Sequence, residues 1–258
     1  MIIAALGSSF AAGPTLDPVA DRAAMRSARN YPHLLGDALG ASLVDLTVSG
    51  ATTATILDRP QVIAPRVQFA PQIDGLPAGA DLVTVTAGGN DLWFIGSMLA
   101  TGWAYHDPEG PRARLMRADH PDGIPKVTPE VVEAVATGLS RIVAAVRARA
   151  PRARIVLVDY LTVLDPPSRS AEVDFTTDEL AAFRSLQDAL IDSHVLAADR
   201  SGAELVPVSE RSRGHGLGSA EPWVFDFIPE PRRTLGSFHP TAAGMRAVAD
   251  ILVRHLRA

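Results

Sequence analysis

Residues 2–13 read IIAALGSSFAAG. An apolar run of strand length ends on Gly7, two hydroxyls come at once in Ser8 and Ser9, and a second glycine stands at Gly13. Serine and glycine in this arrangement suit a strand-to-helix turn, which explains them without any chemistry. A nucleophile presented at the end of a strand explains them equally. The choice depends on the residues that stand at the ends of the other strands of the same chain.

Outward from this stretch, short β-type runs alternate with longer helical ones. MIIAAL, SLVDLTV, DLVTVTA, RIVLVDY and AELVPV read as strands. YPHLLGDALG has apolar residues at helical spacing and a C-cap candidate in Gly40. Three further helices are expected over PEVVEAVATGLSRIVAAVRARA, TDELAAFRSLQDALIDSHVLAADR and TAAGMRAVADILVRHL. Thr128 is placed to cap the first of these, with Pro129 at its first helical position. Such alternation predicts a parallel sheet covered by helices, an α/β fold in three layers. No repeat or low-complexity linker divides the 258 residues, so one domain over 1–258 is expected. Two segments, about 103–127 and 209–238, are rich in Gly, Pro, Arg and acidic residues and read as long functional loops.

Composition narrows the function. The chain is 47% hydrophobic and 21% charged, within the range of a globular protein. A net charge of -5 argues against a nucleic-acid partner, which needs an excess of Lys and Arg. Basic residues do cluster at 147–154, where a solvated helix face is expected. With no cysteine, disulfides and thiolate metal sites are excluded. The histidines other than His239 (His33, His106, His120, His194, His215 and His255) show no metal-ligand spacing and read as structural or surface residues. No apolar stretch approaches ~20 residues, so no stable membrane insertion is expected. No signal peptide is visible and a cytoplasmic protein is expected, although a secreted one lacking its leader would look the same. Oligomeric state is left open.

In open α/β sheets, ligands bind beyond the carboxyl ends of the strands. There the chain carries GSSFAAG with Ser9, SGATT with Gly50, GGND with Asn90 and, before the last helix, SFHPTAAG with His239. Order and context resemble the SGNH hydrolases, the GDSL lipase/acylhydrolase family, and the wording of SGATT and FHP is most similar to actinobacterial esterases and lipases. GSSFAAG resembles the first block, GDSxxxG, implying Ser9 as nucleophile. SGATT and GGND resemble the second and third blocks. Together the blocks imply an oxyanion hole of the Ser9 N–H, the Gly50 N–H and the Asn90 amide. FHPTAAG resembles the last block, implying His239 as base. The resemblance further implies a five-stranded parallel sheet of flavodoxin-like order. It implies hydrolysis of a small-molecule acyl ester through an acyl-serine, with no metal and no organic cofactor. The requirements fit: serine needs a neighbouring base, histidine titrates in the useful range, and fixed donors stabilise the developing oxyanion.

Two positions depart from the family pattern. Ser8 stands where an aspartate usually precedes the nucleophile, and Gly236 stands where an aspartate usually lies three residues before the histidine. A carbonyl of RRTLGS is therefore expected to orient His239, ahead of Asp226 in VFDF. Without a carboxylate, His239 is expected to titrate near ~6.5, with the acidic limb of kcat/KM near neutral pH. A limb well below about pH 5 would mark a carboxylate partner. A catalytically inactive relative that binds an acylated ligand is the alternative, resting on the missing aspartate. Neither GxSxG nor GxGxxG occurs, which sets aside an α/β-hydrolase and a dinucleotide binder.

Asp91 is expected to cap the helix after it. Trp93 and Phe94, in the apolar run after GGND, are read either as helix packing or as an acyl-pocket wall, with Trp223 as an opposite wall.

Overall fold

The computed structural model describes residues 1–166 and 169–258. Five parallel strands form the central sheet: β1 (Ile2–Gly7), β2 (Ser42–Asp45), β3 (Leu82–Thr86), β4 (Arg154–Val158) and β5 (Glu204–Val206), in the order β2-β1-β3-β4-β5. This is the expected flavodoxin-like order. The register pairs Ile3 of β1 with Leu43 on one side and Leu82 on the other. β1 and β3 are buried almost throughout because helices cover both faces, so their sequences are apolar without alternation.

The crossovers between these parallel strands carry the helices. α1 (Ser9–Ala12) and α2 (Tyr31–Leu39) connect β1 to β2, and α3 (Thr53–Leu57) lies on the way to β3. α4 (Phe94–His106), α5 (Pro111–Asp119) and α6 (Pro129–Arg149) lead to β4, and α7 (Thr177–Ser201) leads to β5. α8 (Val208–Arg211) and α9 (Ala242–Arg257) complete the chain. α2 packs on α9, and α6 packs on α7 with α3 beside it, which makes the outer layers of the sandwich. The caps are those the sequence signals. Thr128 accepts from the Val131 N–H, Gly40 adopts the left-handed conformation after α2, and Thr241 accepts from the Gly244 N–H at the start of α9.

The expected loop at about 103–127 is corrected: it contains the end of α4 and all of α5. Only Ala113 of α5 is fully buried, so the helix has no apolar stripe to betray it in the sequence. Segment 209–238 is largely irregular, with the last residues of α8 and a short 3-10 turn at Thr234–Gly236. Two antiparallel ribbons were not legible: Val19–Asp21 with Arg26–Ser27, and Gln61–Ala64 with Val67–Phe69. Strands of two to four residues are too short for alternation to register. The basic segment 147–154 is also more engaged than a solvated face: Arg149 donates to the carbonyls of Leu76 and Asp74, and Arg154 pairs with Glu204 at 2.5 Å.

Candidate active site

β1 and β3 are neighbours, and the chain leaves β1 toward β2 on one side before returning to β3 on the other. Their carboxyl ends therefore flank the crevice where such sheets bind ligands. Ser9 begins α1 two residues beyond β1, and Asn90 lies in the turn after β3. His239 comes from the irregular segment after β5, on the turn that enters α9.

Ser9 and His239 meet although 230 residues separate them: Ser9 Oγ lies 2.8 Å from His239 Nε2. His239 Nδ1 lies 2.9 Å from the Ser237 carbonyl oxygen. A carbonyl only accepts, so Nδ1 carries the proton and Nε2 is the lone-pair nitrogen facing the Ser9 hydroxyl. Ser237 closes the RRTLGS segment, so the expected carbonyl is found. Asp226 is elsewhere, accepting from the Ser170 hydroxyl and from the N–H groups of Ala171 and Phe227. An aspartate at 236 has no room here, since a Cβ on Gly236 would overlap Thr15 Oγ1. The backbone around His239 is held by hydrogen bonds. His239 N–H donates to the Gly236 carbonyl, the His239 carbonyl accepts from Phe225 N–H, and Phe238 is held at φ 60 with its ring fully buried. A non-glycine residue at such a φ costs about 1–3 kcal/mol and persists only where its surroundings impose it.

Burial pushes the His239 pKa down to about 4, partly opposed by the bond to the Ser237 carbonyl. The expectation of ~6.5 is thus corrected, because desolvation penalises the imidazolium and no carboxylate offsets it. The meaning given to a low acidic limb is reversed as well. A carboxylate partner would raise this pKa, so a low limb marks a buried imidazole without one.

Three donors follow the carboxyl ends of β1, β2 and β3: the N–H groups of Ser9 and Gly50 and the Asn90 amide. Among the described residues, no protein acceptor takes the N–H of Ser9 or of Gly50. Gly50 sits at φ 83, where glycine is favoured, on a loop whose Ser49 carbonyl accepts from the buried Gln61 side chain at 2.8 Å. The Asn90 amide donates one proton to the Ala51 carbonyl at 2.8 Å, which sets the plane of the amide and leaves its second N–H available.

A residue that sequence reading passed over joins two of these blocks. Tyr160, just past β4, has its hydroxyl 3.0 Å from Ser8 Oγ and accepts the Gly89 N–H at 3.1 Å. Its ring packs on Phe10 with centroids 4.5 Å apart, and a Cβ on Gly89 would come within 2.9 Å of it. Burial drives its pKa to about 12, so the phenol keeps its proton. Ser8 therefore has a partner of its own where the family usually has an aspartate. The signal that could have found Tyr160 was its position at the carboxyl end of a strand.

The remaining residues divide. Asp91 does not cap α4. Its carboxylate accepts from the Thr53 hydroxyl at 2.6 Å and from the Thr53 N–H, tying the GGND turn to the start of α3. Phe94 is fully buried in the core and cannot wall an open pocket. Trp93, at φ 51, stacks on His120 and lines a cavity of about 430 Å³ with Ala100, Ala104, Met116 and Ile124. Neither Ser9 nor His239 lines that cavity. The Trp223 ring lies flat on His215 at 3.9 Å, and among the described residues no contact brings it to Ser9. Among the described residues, no group of three His, Asp or Glu is arranged to hold a metal ion.

The sequence model of the GDSL-like Lipase/Acylhydrolase family matches residues 5–247. The chain is 33% identical over 261 residues to Lipase 2 of Streptomyces coelicolor, covering 95% of this chain and 82% of that protein. It is 27% identical to a lipase of Streptomyces rimosus, covering 93% and 81%. Among solved structures, an extracellular lipase from Streptomyces rimosus superposes with a TM-score of 0.73 at 23% identity, covering 98% and 99%. Phospholipase A1 from Streptomyces albidoflavus gives 0.73 at 23%, covering 100% and 99%. The fold is that of the SGNH hydrolases. The chain belongs to the GDSL-like lipase/acylhydrolase family and is a serine hydrolase of carboxylic esters.

Proposed function

We propose that Ser9 is the nucleophile and His239 its base, working as a dyad oriented by the Ser237 carbonyl. The observation that carries this reading is the aligned chain Ser9 Oγ, His239 Nε2, His239 Nδ1, Ser237 oxygen, with links of 2.8 and 2.9 Å. As Ser9 Oγ bonds to the ester carbonyl carbon, its proton passes to Nε2 and the carbonyl π pair moves onto oxygen. The N–H groups of Ser9 and Gly50 and the Asn90 amide stabilise that oxyanion, each such donor being worth about 3 kcal/mol in known cases. When the pair returns, the C–O bond to the alcohol breaks and the alcohol leaves with the proton from Nε2. Water then repeats the sequence on the acyl-serine, regenerating Ser9 and releasing the acid. The inactive-relative alternative rested on the missing aspartate, and the Ser237 carbonyl fills that orienting role.

Because neither Ser9 nor His239 lines it, the cavity beside Trp93, three residues beyond Asn90, is proposed to take only the far end of a long acyl chain. Reaction with a fluorophosphonate and a chain-length series of p-nitrophenyl esters test the reading. Wild-type protein should be labelled at Ser9 and turn the esters over, while Ser9→Ala should lose labelling and at least ~10⁴-fold in kcat. Turnover surviving in Ser9→Ala would refute it. Trp93→Ala should change the chain-length profile and leave acetate esters within about twofold.

A further inference from the structure

Gly50 sits in a turn whose direction is decided by a side chain from another element. Residues 48–51 form a β-turn in which the Ala51 N–H donates to the Val48 carbonyl at 3.1 Å. Gly50 takes φ 83 while Ser49 keeps a negative φ, which is the type II form. Type I and type II turns differ by a flip of the central peptide, here Ser49–Gly50, and glycine at the third position tolerates both. The flip matters because a planar trans peptide points its C=O and its N–H in opposite directions. With the Gly50 N–H directed at the oxyanion in the observed form, the flipped form would bring the Ser49 carbonyl oxygen to that side. A carbonyl oxygen there repels the developing negative charge.

The groups around this peptide are anchored. The Val48 N–H donates to the Gly7 carbonyl at 3.1 Å, and the Ser49 N–H and hydroxyl donate to the carbonyls of Ala24 and Met25 at 2.9 and 3.1 Å. The Ala51 carbonyl accepts from Asn90 at 2.8 Å. On the central peptide itself, the Gly50 N–H has no protein acceptor among the described residues, and the Ser49 carbonyl accepts from Gln61 Nε2 at 2.8 Å. A Cβ on Gly50 would lie 3.3 Å from the same nitrogen, so the amide is seated against the turn. Gln61 opens the ribbon with Val67–Phe69, whose next residues Val62 and Ile63 are 65% and 38% exposed. Gln61 is 8% exposed and is the foot by which that ribbon reaches the site. A donor on the carbonyl also polarises the peptide, which strengthens its N–H.

We propose that Gln61 is a positioning residue for ester hydrolysis: its amide fixes the Ser49–Gly50 peptide in the form that directs the Gly50 N–H at the oxyanion. This inference rests on the Ser9 and Gly50 roles proposed above and names the side chain that aims the Gly50 donor. Gln61→Met keeps the side-chain length and removes the donor. Gln68→Leu, at an exposed position on the opposite strand of the same ribbon, is the control. With p-nitrophenyl hexanoate, Gln61→Met should lower kcat about 10- to 100-fold with KM within about twofold. Gln68→Leu should stay within about twofold of wild type. A pair of inhibitors, 2-octanone and 1,1,1-trifluoro-2-octanone, reads the oxyanion site directly. Ser9 Oγ adds to the carbonyl carbon of the fluorinated ketone, its proton passes to His239 Nε2, and the carbonyl π pair becomes an oxyanion. Gln61→Met should weaken the fluorinated ketone by the same factor as kcat/KM and leave 2-octanone within about twofold. Gln61→Ala, with the same expected outcomes, replaces Gln61→Met if urea unfolding shows that variant to be unfolded. An unchanged kcat in Gln61→Met, an equal loss in Gln68→Leu, or an affinity for the fluorinated ketone that does not fall with kcat/KM overturns the proposal. Turnover surviving in Ser9→Ala would overturn the nucleophile reading instead, and the proposal with it.

Discussion

His239 shows how far one residue's chemistry depends on its surroundings. Its proposed part as a base is implied by the resemblance of FHPTAAG to a family block, but its basicity is not. Full burial without a facing carboxylate holds it neutral down to about pH 4. A general base must be unprotonated to act, so activity should be retained as pH falls through 6.5 and lost only as it approaches about 4. The acidic limb of kcat/KM, measured on a neutral ester, checks this; a limb at 6.5 would show a far better solvated imidazole. Gly236 is equally instructive. It looks like a missing catalytic acid, yet it is the residue that fits against Thr15 and brings the Ser237 carbonyl under Nδ1.

Among the elements, the site is assembled from strand ends rather than from any single motif. The ends of β1, β3 and β4 are joined through one phenol: Tyr160 touches Ser8 in the nucleophile block and holds Gly89 beside Asn90. Asp91 carries the connection on to α3 through Thr53. Removing the phenol leaves a buried hydroxyl and a buried N–H unpaired, at about 1–3 kcal/mol each. Tyr160→Phe should therefore lower the urea midpoint and reduce kcat by roughly tenfold with KM within twofold, because Ser8 beside the proposed nucleophile and Gly89 beside Asn90 lose their common anchor. An unchanged kcat would confine Tyr160 to stability. Strands, long helices and their caps were legible because apolar runs, Thr caps and left-handed glycines are local signals. α5 and the two ribbons were not, because one lacks an apolar face and the others are only a few residues long.

For the protein as a whole, buried histidines set the acid tolerance of the fold. His194 is fully buried, with Nδ1 on the Leu190 carbonyl and no partner for Nε2 among the described residues. Its pKa, like that of His239, is driven down to about 4 by burial. Both are free to protonate near 6.5 in the unfolded chain, which therefore binds more protons than the folded one as pH falls from about 6.5 toward 4. Stability contributed by the neutral rings is present above 6.5 and is lost over that window. Asp159, raised to about 6 by burial, acts in the opposite sense because the folded state binds its proton first. The two histidines outweigh it, and the stability lost between pH 7 and 5 should be on the order of 2 kcal/mol. Urea unfolding at the two pH values measures this, and His194→Leu should make the drop shallower.

What could be known from residue order was the class of sheet and the four blocks that reach its carboxyl edge, while the order of the strands came only with the family resemblance those blocks carry. Each of those is written in a few neighbouring residues: an apolar run, a glycine, a hydroxyl, an FHP. Folding supplied the rest, because it lies in contacts between distant parts of the chain. Ser9 meets His239 across 230 positions and Ser8 meets Tyr160 across 152. The solvation of an imidazole and the carbonyl beneath it are properties of the space those contacts enclose, and no local stretch of residues encodes that space.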